Sequence, residues 1–443
     1  MMNWERLISS KRFGMEEYHS DKKHDRTEFQ RDYDRLIFSS PFRRMQNKTQ
    51  VFPLPGSVFV HNRLTHSLEV SSVGRSIGSM VGLRLRELYP ASRASFEEID
   101  AVVAAACLAH DMGNPPFGHS GEKAISTFFS EGKGKGMEDR VISEGGRWSD
   151  FTRFEGNANV VRLLTHQFHG KREGGFAMTY STLASVVKYP YSSLLSNGKN
   201  KFGFFASEED DYCRIADELG IIRLEEDPVR FVRYPLVYLV EAADDICYQI
   251  MDIEDAHKLN LISTEKTIEL LLGFFEGERR ERRLRNMSVV SDLNEQIAYL
   301  RASVIGLLVD ECAVTFMEHE KEILEGNFSG TLIGNIRENV KSQYERCSGF
   351  AVKNIYKSKD VVDIELAGYK IIGFLLESFS EAVNNPRHAY SKLLLQRIPA
   401  QYVSESADLY SKLQAVVDFI SGMTDVYALD LYRKITGMGL PSI

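Results

Sequence analysis

The stretch AACLAHDMGNPPFGHSGE, residues 105–122, decides the reading of this chain. It begins as a small, apolar helix and ends in His110-Asp111. It breaks at Gly113-Asn114-Pro115-Pro116 and resumes with His119 and Glu122. The acids of FEEID just upstream suit a helix N-terminus. The alanines allow neighbouring helices to come close. Core packing does not ask for a His-Asp pair at the end of such a helix, where side chains meet others from elsewhere in the chain. One nitrogen and one oxygen ligand suit a divalent ion of borderline hardness, such as Mn, Fe, Mg or Zn, and argue against thiolate-selecting metals.

Two more stretches offer matching donors. In NRLTHSLEV, residues 62–70, Thr65 reads as a helix N-cap and His66 falls in the first turn. In LVYLVEAADDICYQIMDIEDA, residues 236–256, Asp244, Tyr248 and Asp252 recur every four positions and share one helix face. An acid, a phenol and an acid are costly to bury on an apolar helix unless they bind something. Asp245 points about 100° away and reads as a residue that caps, pairs or braces.

The rest of the chain reads as helix. Apolar residues at i, i+3, i+4 and i+7 mark segments near 64–89, 97–110, 155–168, 208–220, 235–258, 264–276, 290–320, 330–346, 360–384 and 406–436. Several of the twelve prolines fall between these segments, where they break helices. The period-2 stretch Gln50–Val60 holds Pro53, Pro55 and Gly56 and supports a small hairpin at most. The Gly/Ser/Lys-rich stretches 131–149 and 193–203 read as loops or mobile insertions. The expected fold class is all-α, with a core over residues 1–330 and a C-terminal helical region over 331–443.

Composition narrows the class. With 443 residues, 43% hydrophobic and 26% charged, the chain has an ordinary globular balance and ample length for a core. A net charge of −8 excludes a uniformly basic nucleic-acid coat but not a local patch. Five cysteines scattered without CxxC spacing point to reduced thiols in a cytoplasmic protein. MMNWERLISSKRFG has no apolar h-region, and no run of about 18 apolar residues occurs, so no membrane partner is expected.

The ordered set NRLTHSLEV, AHDMGNPPFGHSGE, FEGNANVVRLLT, VKYPY, YLVEAADDICY, ELAGY and GMTDVYALDLY belongs to a match that extends from about residue 35 to 436. It resembles the bacterial dGTP triphosphohydrolases of the HD phosphohydrolase superfamily. The resemblance implies hydrolysis of dGTP, with other dNTPs left open, to deoxynucleoside and tripolyphosphate. It implies a divalent metal, Mn²⁺ or Mg²⁺ first and Fe, Co, Ni or Zn as alternatives, on His66, His110, Asp111 and Asp244. It assigns His119 as general acid, with Glu122 holding the imidazole protonated. Arg63 is carried over to the α-phosphate, and Lys188 to the phosphates with Tyr189 beside it. Gln50 and Asp252 are carried over to the sugar 3′-OH, Tyr248 to the deoxyribose face and Glu365 to guanine. The family's arginine partner for the base falls where this chain is shorter. Arg387 is a candidate, which leaves strict dGTP specificity open. Related enzymes imply a homo-oligomer, hexamer or tetramer, and an effector that is a dNTP or single-stranded DNA.

Two other functions compete. Another HD hydrolase, acting on cyclic nucleotides, ppGpp or 5′-nucleotides, would share the metal set. It would not need the His119/Glu122 pair, VKYPY or the GMTD tail. A non-catalytic dNTP- or DNA-binding regulator would not need the complete ligand set. His166 and His169 read as structural or surface residues. The run Arg279, Arg280, Arg282, Arg283, Arg285 reads as a solvated face, with a phosphate-bearing effector or single-stranded DNA as the sharper reading.

Overall fold

Helix α1 (Arg63–Leu88) and helix α2 (Ile99–Ala109) carry the motif histidines, and glycines on α1 set the distance between them. A Cβ on Gly78 would stand 2.9 Å from Asp100 Cα, and one on Gly82 would stand 2.3 Å from the Phe96 carbonyl oxygen. Glycine costs about 1 kcal/mol in a helix interior, and here that cost allows backbone-to-backbone packing. The alanines of α2 from Ala104 to Ala109 are buried for the same reason.

This computed structural model describes all residues except 19–25, 52–59, 197, 199, 357–358, 404–405 and 440–443, together with the side chains of 359–361. The hairpin expected over Gln50–Val60 lies mostly outside the described residues. Among the described residues the chain forms twenty-one α-helices and a single two-stranded sheet. It is all-α. The helices used below are α3 (His119–Ser130), α4 (Val237–Lys258), α5 (Gly277–Ser288), α6 (Leu293–Glu318), α7 (Glu338–Asn354), α8 (Lys359–Asn384) and α9 (Leu409–Ser421).

Two apolar cores hold these elements. The larger joins α1, α2, α4, α6 and α7 with the N-terminal segment around Trp4 and Leu7. The second packs α3 and the aromatic group Phe129, Trp148 and Phe151 against α8, α9 and the final helix. Segment 131–149 is therefore not a loose insertion. It contains the helix Glu138–Ser143, and Val141 is fully buried. Within stretch 193–203, Ser193 and Phe202 are buried. The helix expected over 406–436 is broken by Gly422-Met423, and Thr424 caps a new helix. The short antiparallel sheet at 223–231 had no clear signal, since it pairs three residues with two.

A buried charge network ties the two cores together. Arg162 donates from Nε to Asp418 on α9 at 2.8 Å and from Nη1 to Glu208 at 2.6 Å. All three side chains are buried. Arg162→Met leaves two carboxylates buried without their cation. We expect about 3 kcal/mol or more of lost stability, read as a lower urea midpoint. An unchanged midpoint would show that water or rearrangement compensates.

Candidate metal centre and active site

The local fold explains the abrupt ending of α2. His110 closes the helix, and its Nδ1–H donates to the Cys107 carbonyl at 2.6 Å. That fixes the ring and leaves Nε2 as the free nitrogen, which is buried and has no hydrogen-bond partner. His66 enters from the first turn of α1. The N-cap of that helix is Asn62 rather than Thr65. Thr65 instead takes the third helical position and closes a reciprocal capping box with Asn62. Asp244 arrives from α4, with its Oδ1 3.2 Å from His66 Nε2 and 3.5 Å from His110 Nε2.

The donor atoms of His66, His110 and Asp244 lie within 4.8 Å of one another. Two imidazoles and a carboxylate, with one nitrogen left bare in a buried setting, fit a divalent ion of borderline hardness. Asp111 is adjacent but engaged elsewhere. Its Oδ2 accepts from Arg63 at 2.7 Å and its Oδ1 accepts from Asn114, while Oδ1 stands 3.8 Å from His110 Nε2. Burial alone would raise the Asp244 carboxyl, but the two imidazoles hold it well below the usual carboxylate range. Burial also opposes the charge on His110, yet Asp111 and Asp244 raise its pKa to about 9.

The break after Asp111 is pinned from several sides. Lys48 Nζ donates to the Asn114 carbonyl at 2.5 Å, and Asn159 Nδ2 donates to the Gly113 carbonyl at 2.6 Å. Phe117 and Gly118 both take positive φ, 63° and 57°, and together they swing the chain into α3. Gly118 is required twice over, because a Cβ there would stand 2.6 Å from Arg63 Nη2. Asp425 holds the turn to the opposite segment. It accepts from the Phe117 amide at 3.0 Å with one oxygen and from the Thr49 amide and hydroxyl with the other. This gives the GMTD stretch a structural role next to Gln50, whose Oε1 is buried without a partner.

His119 begins α3 at this turn. Its Nδ1–H donates to Glu122 Oε2 at 2.9 Å, while its side chain stays 68% exposed. The hydrogen bond and the charge of Glu122 raise the His119 pKa. Glu122 is buried, which would raise its own pKa, but His119, Lys201 and the Gly156 amide outweigh that and keep it ionised. Lys201 is a residue that the sequence reading missed. It ion-pairs with Glu155 and bears electrostatically on His119 and Glu122. It sits within the stretch read as a loose insertion, so only its lysine identity was visible.

The remaining candidates are distributed as follows. Lys188 reaches Glu241 at 3.2 Å and lies 5.8 Å from the Tyr189 ring. Tyr248 stacks on Tyr356 with ring centroids 5.7 Å apart. Tyr356, just beyond α7, donates to Asp252 Oδ2 at 2.5 Å. Burial pushes the Asp252 carboxyl up to about 8. Tyr356 was not singled out from sequence, because nothing marks a lone tyrosine so far downstream. Asp245 is pushed up to about 7 by burial, and its backbone carbonyl accepts from Tyr344. Glu365 lies half-buried on α8 and makes no hydrogen bond or ion pair among the described residues. It precedes Gly368 by three residues, and that glycine packs on Phe117. Arg387 is exposed.

An all-α fold that brings His66, His110 and Asp244 together, with Asp111 beside them, has the arrangement of an HD-type phosphohydrolase. The family model for the HD domain matches residues 63–187, and that for the phosphohydrolase-associated domain matches residues 335–434. The chain is 36% identical to a deoxyguanosinetriphosphate triphosphohydrolase-like protein of Synechocystis, over 99% of this chain and 100% of that protein. It is 37% identical to one from Pseudomonas aeruginosa strain LESB58, with 100% of both covered. It is 29% identical to a deoxyguanosinetriphosphate triphosphohydrolase of Yersinia enterocolitica, over 92% of this chain and 93% of that one. The chain belongs to the deoxyguanosinetriphosphate triphosphohydrolase-like family. Among the described residues no helix is long and apolar enough to cross a membrane, and all five cysteines are free thiols.

Proposed function

We propose that the protein is a dNTP triphosphohydrolase, releasing deoxynucleoside and tripolyphosphate from dGTP and from other dNTPs that fit. What carries this reading is the pairing of two half-sites around Arg63. On one side is a bare, buried His110 Nε2 facing His66 and Asp244. On the other is a His119 imidazole held on a buried carboxylate.

His66, His110 and Asp244 would hold the metal, with Asp111 joining if it exchanges its Arg63 contact. When bound, the metal supplies Lewis acidity toward a phosphate oxygen and lowers the pKa of a coordinated water. The side chains do the rest. Arg63, already ordered on Asp111, presents a guanidinium to the α-phosphate. Lys188 and Lys201 add cations for a chain of about four negative charges, and Tyr189 stands beside Lys188. Cleavage at phosphorus expels the sugar O5′ as an alkoxide, which needs a proton. His119 carries one, and Glu122 keeps the imidazole charged until it is given up.

Gln50 Oε1, a buried acceptor without a donor, suits the sugar 3′-OH, and Asp252 completes that end. Tyr248 and Tyr356 together form a rigid aromatic wall that leaves little room for a 2′-OH. Tyr248→Ala should therefore raise activity on GTP relative to dGTP, and Asp252→Ala should raise KM. Unchanged exclusion of GTP in Tyr248→Ala would refute the steric account. Glu365 on the helix crossing Phe117 is the candidate reader of the guanine N1–H and N2–H₂.

The deciding experiment incubates the protein with each dNTP and NTP plus Mn²⁺ or Mg²⁺ and separates the products by chromatography. Tripolyphosphate and deoxyguanosine from dGTP support the reading. Release of pyrophosphate or orthophosphate instead would overturn it.

A further inference from the structure

Two buried charged side chains meet at the turn that leads into His119, and each joins the same three segments of the chain. Lys48 lies on the segment 45–50, which ends in Gln50. Its Nζ donates to the Asn114 carbonyl of the turn at 2.5 Å and to the Ser421 carbonyl at the end of α9 at 2.8 Å. Asp425 opens the final helix, Asp425–Thr436. Its Oδ2 accepts from the Thr49 amide at 2.9 Å and from the Thr49 hydroxyl at 2.6 Å, and its Oδ1 accepts from the Phe117 amide at 3.0 Å. Asn159 adds a further tie, donating from Nδ2 to the Gly113 carbonyl at 2.6 Å and to the Ser421 hydroxyl at 3.2 Å.

Packing alone does not ask for this arrangement. Lys48 is 2% exposed. Burial, with Arg44 and Arg63 nearby, pushes its pKa down to about 7 against the support of Asp425 and Asp111. Buried ions are often replaceable by apolar side chains without loss of stability, so stability alone does not account for them. What they hold is the backbone of a turn, where helix and sheet bonding cannot satisfy the polar groups. Phe117 takes a φ of 63°, a left-handed conformation that is strained for a residue with a Cβ, and Asp425 fastens its amide. His119 follows two residues later, and Gln50 follows Thr49 directly.

We propose that Lys48 and Asp425 are positioning residues that hold His119 and Gln50 in one fixed register, so that the start of the final helix aligns the proton donor with the sugar. The inference rests on the roles given above to His119, at the leaving O5′, and to Gln50, at the 3′-OH. Both oxygens belong to one deoxyribose, so the two protein groups must keep a set separation. A single carboxylate sets it, because Asp425 grips Thr49 with one oxygen and Phe117 with the other. If the two segments slide, a sugar that stays on Gln50 carries its O5′ away from the imidazole. A misplacement of about 1 Å costs on the order of 10²-fold in rate. The contacts to substrate remain, so the loss falls on kcat more than on KM.

The test uses Asp425→Asn and Lys48→Gln in the full-length protein. Asparagine keeps the size of Asp425 but turns a donor toward Thr49 or Phe117. Hydrogen exchange by mass spectrometry on the metal-free protein reads the junction without turnover. In both variants residues 45–51 and 112–119 should exchange faster together, while α2 keeps its protection. Kinetics then compare dGTP with 2′,3′-dideoxy-GTP, which lacks the 3′-OH. The wild type should favour dGTP, and Gln50→Ala should narrow that preference. Asp425→Asn should narrow it in the same way and lower kcat on dGTP by about 10–100-fold, with a smaller change in KM. A purely structural defect would lower both activities alike. Wild-type exchange of both segments in both variants, or an undiminished preference for dGTP in Asp425→Asn, would overturn the junction. If the wild type itself does not distinguish the two nucleotides, the reading of Gln50 fails instead, and the exchange experiment alone decides the junction.

Discussion

We expect His119→Ala to lower kcat by roughly 10²–10⁴-fold, the scale of general acid catalysis, and to leave metal binding unchanged. In the proposed reaction the imidazole acts as a proton donor and not as a ligand. Its Nδ1–H is committed to Glu122 at 2.9 Å, and its position is reached across the Phe117-Gly118 turn, apart from the His66, His110 and Asp244 cluster. KM should change far less than kcat, because Arg63, Lys188, Gln50 and Asp252 remain. The pH profile gives an independent check. Glu122 raises the His119 pKa, so the acid stays protonated to higher pH, and kcat falls as pH rises through that raised value. Glu122→Gln removes both the charge and the best acceptor, so the alkaline limb should move to lower pH with a smaller loss of kcat. Metal content, dGTP affinity and kcat measured on one preparation decide the matter. Loss of metal would make His119 a ligand, and unchanged kcat would make it a bystander of the turn.

Asp244→Ala or His110→Ala should abolish both metal binding and turnover. Asp244 is the hinge of the cluster, since its Oδ1 is within reach of both imidazoles. Without it, His66 and His110 face each other with ring centroids 5.5 Å apart and no carboxylate between them. Loss of His110 removes the nitrogen that the Cys107 carbonyl orients inward. Asp111→Ala should leave Arg63 without its carboxylate partner, and a matching loss of metal would add Asp111 to the ligands. Elemental analysis after dialysis against a low-affinity chelator is the measurement. Near-wild-type metal content in all three variants would remove the ligand assignment.

The sequence by itself determined the helical class, most helix positions and three residues, His66, His110 and Asp244, whose donor atoms the fold brings together. Small residues packed at helical spacing, a His-Asp pair before a Gly-Asn-Pro-Pro break, and acids every four residues on an apolar helix each carry a local cost that only a site explains. Local patterns also placed His119 and Glu122 within one turn of each other. Tertiary structure alone decided the rest, because the relevant forces act between segments far apart in the chain. Asp425 joins Thr49 to Phe117 across more than three hundred residues, and Tyr356 reaches back 104 residues to Asp252. Lys201 meets Glu155, and so comes to bear on His119 and Glu122, only through the tertiary fold. Asp111 was legible as a donor, but its commitment to Arg63 depended on how closely the turn brings α1 to α2. The arginine run had the composition of a solvated face. Its contact with a cavity depends on the packing of α5 against α6, which no periodicity in a helix that buries none of its twelve residues could encode.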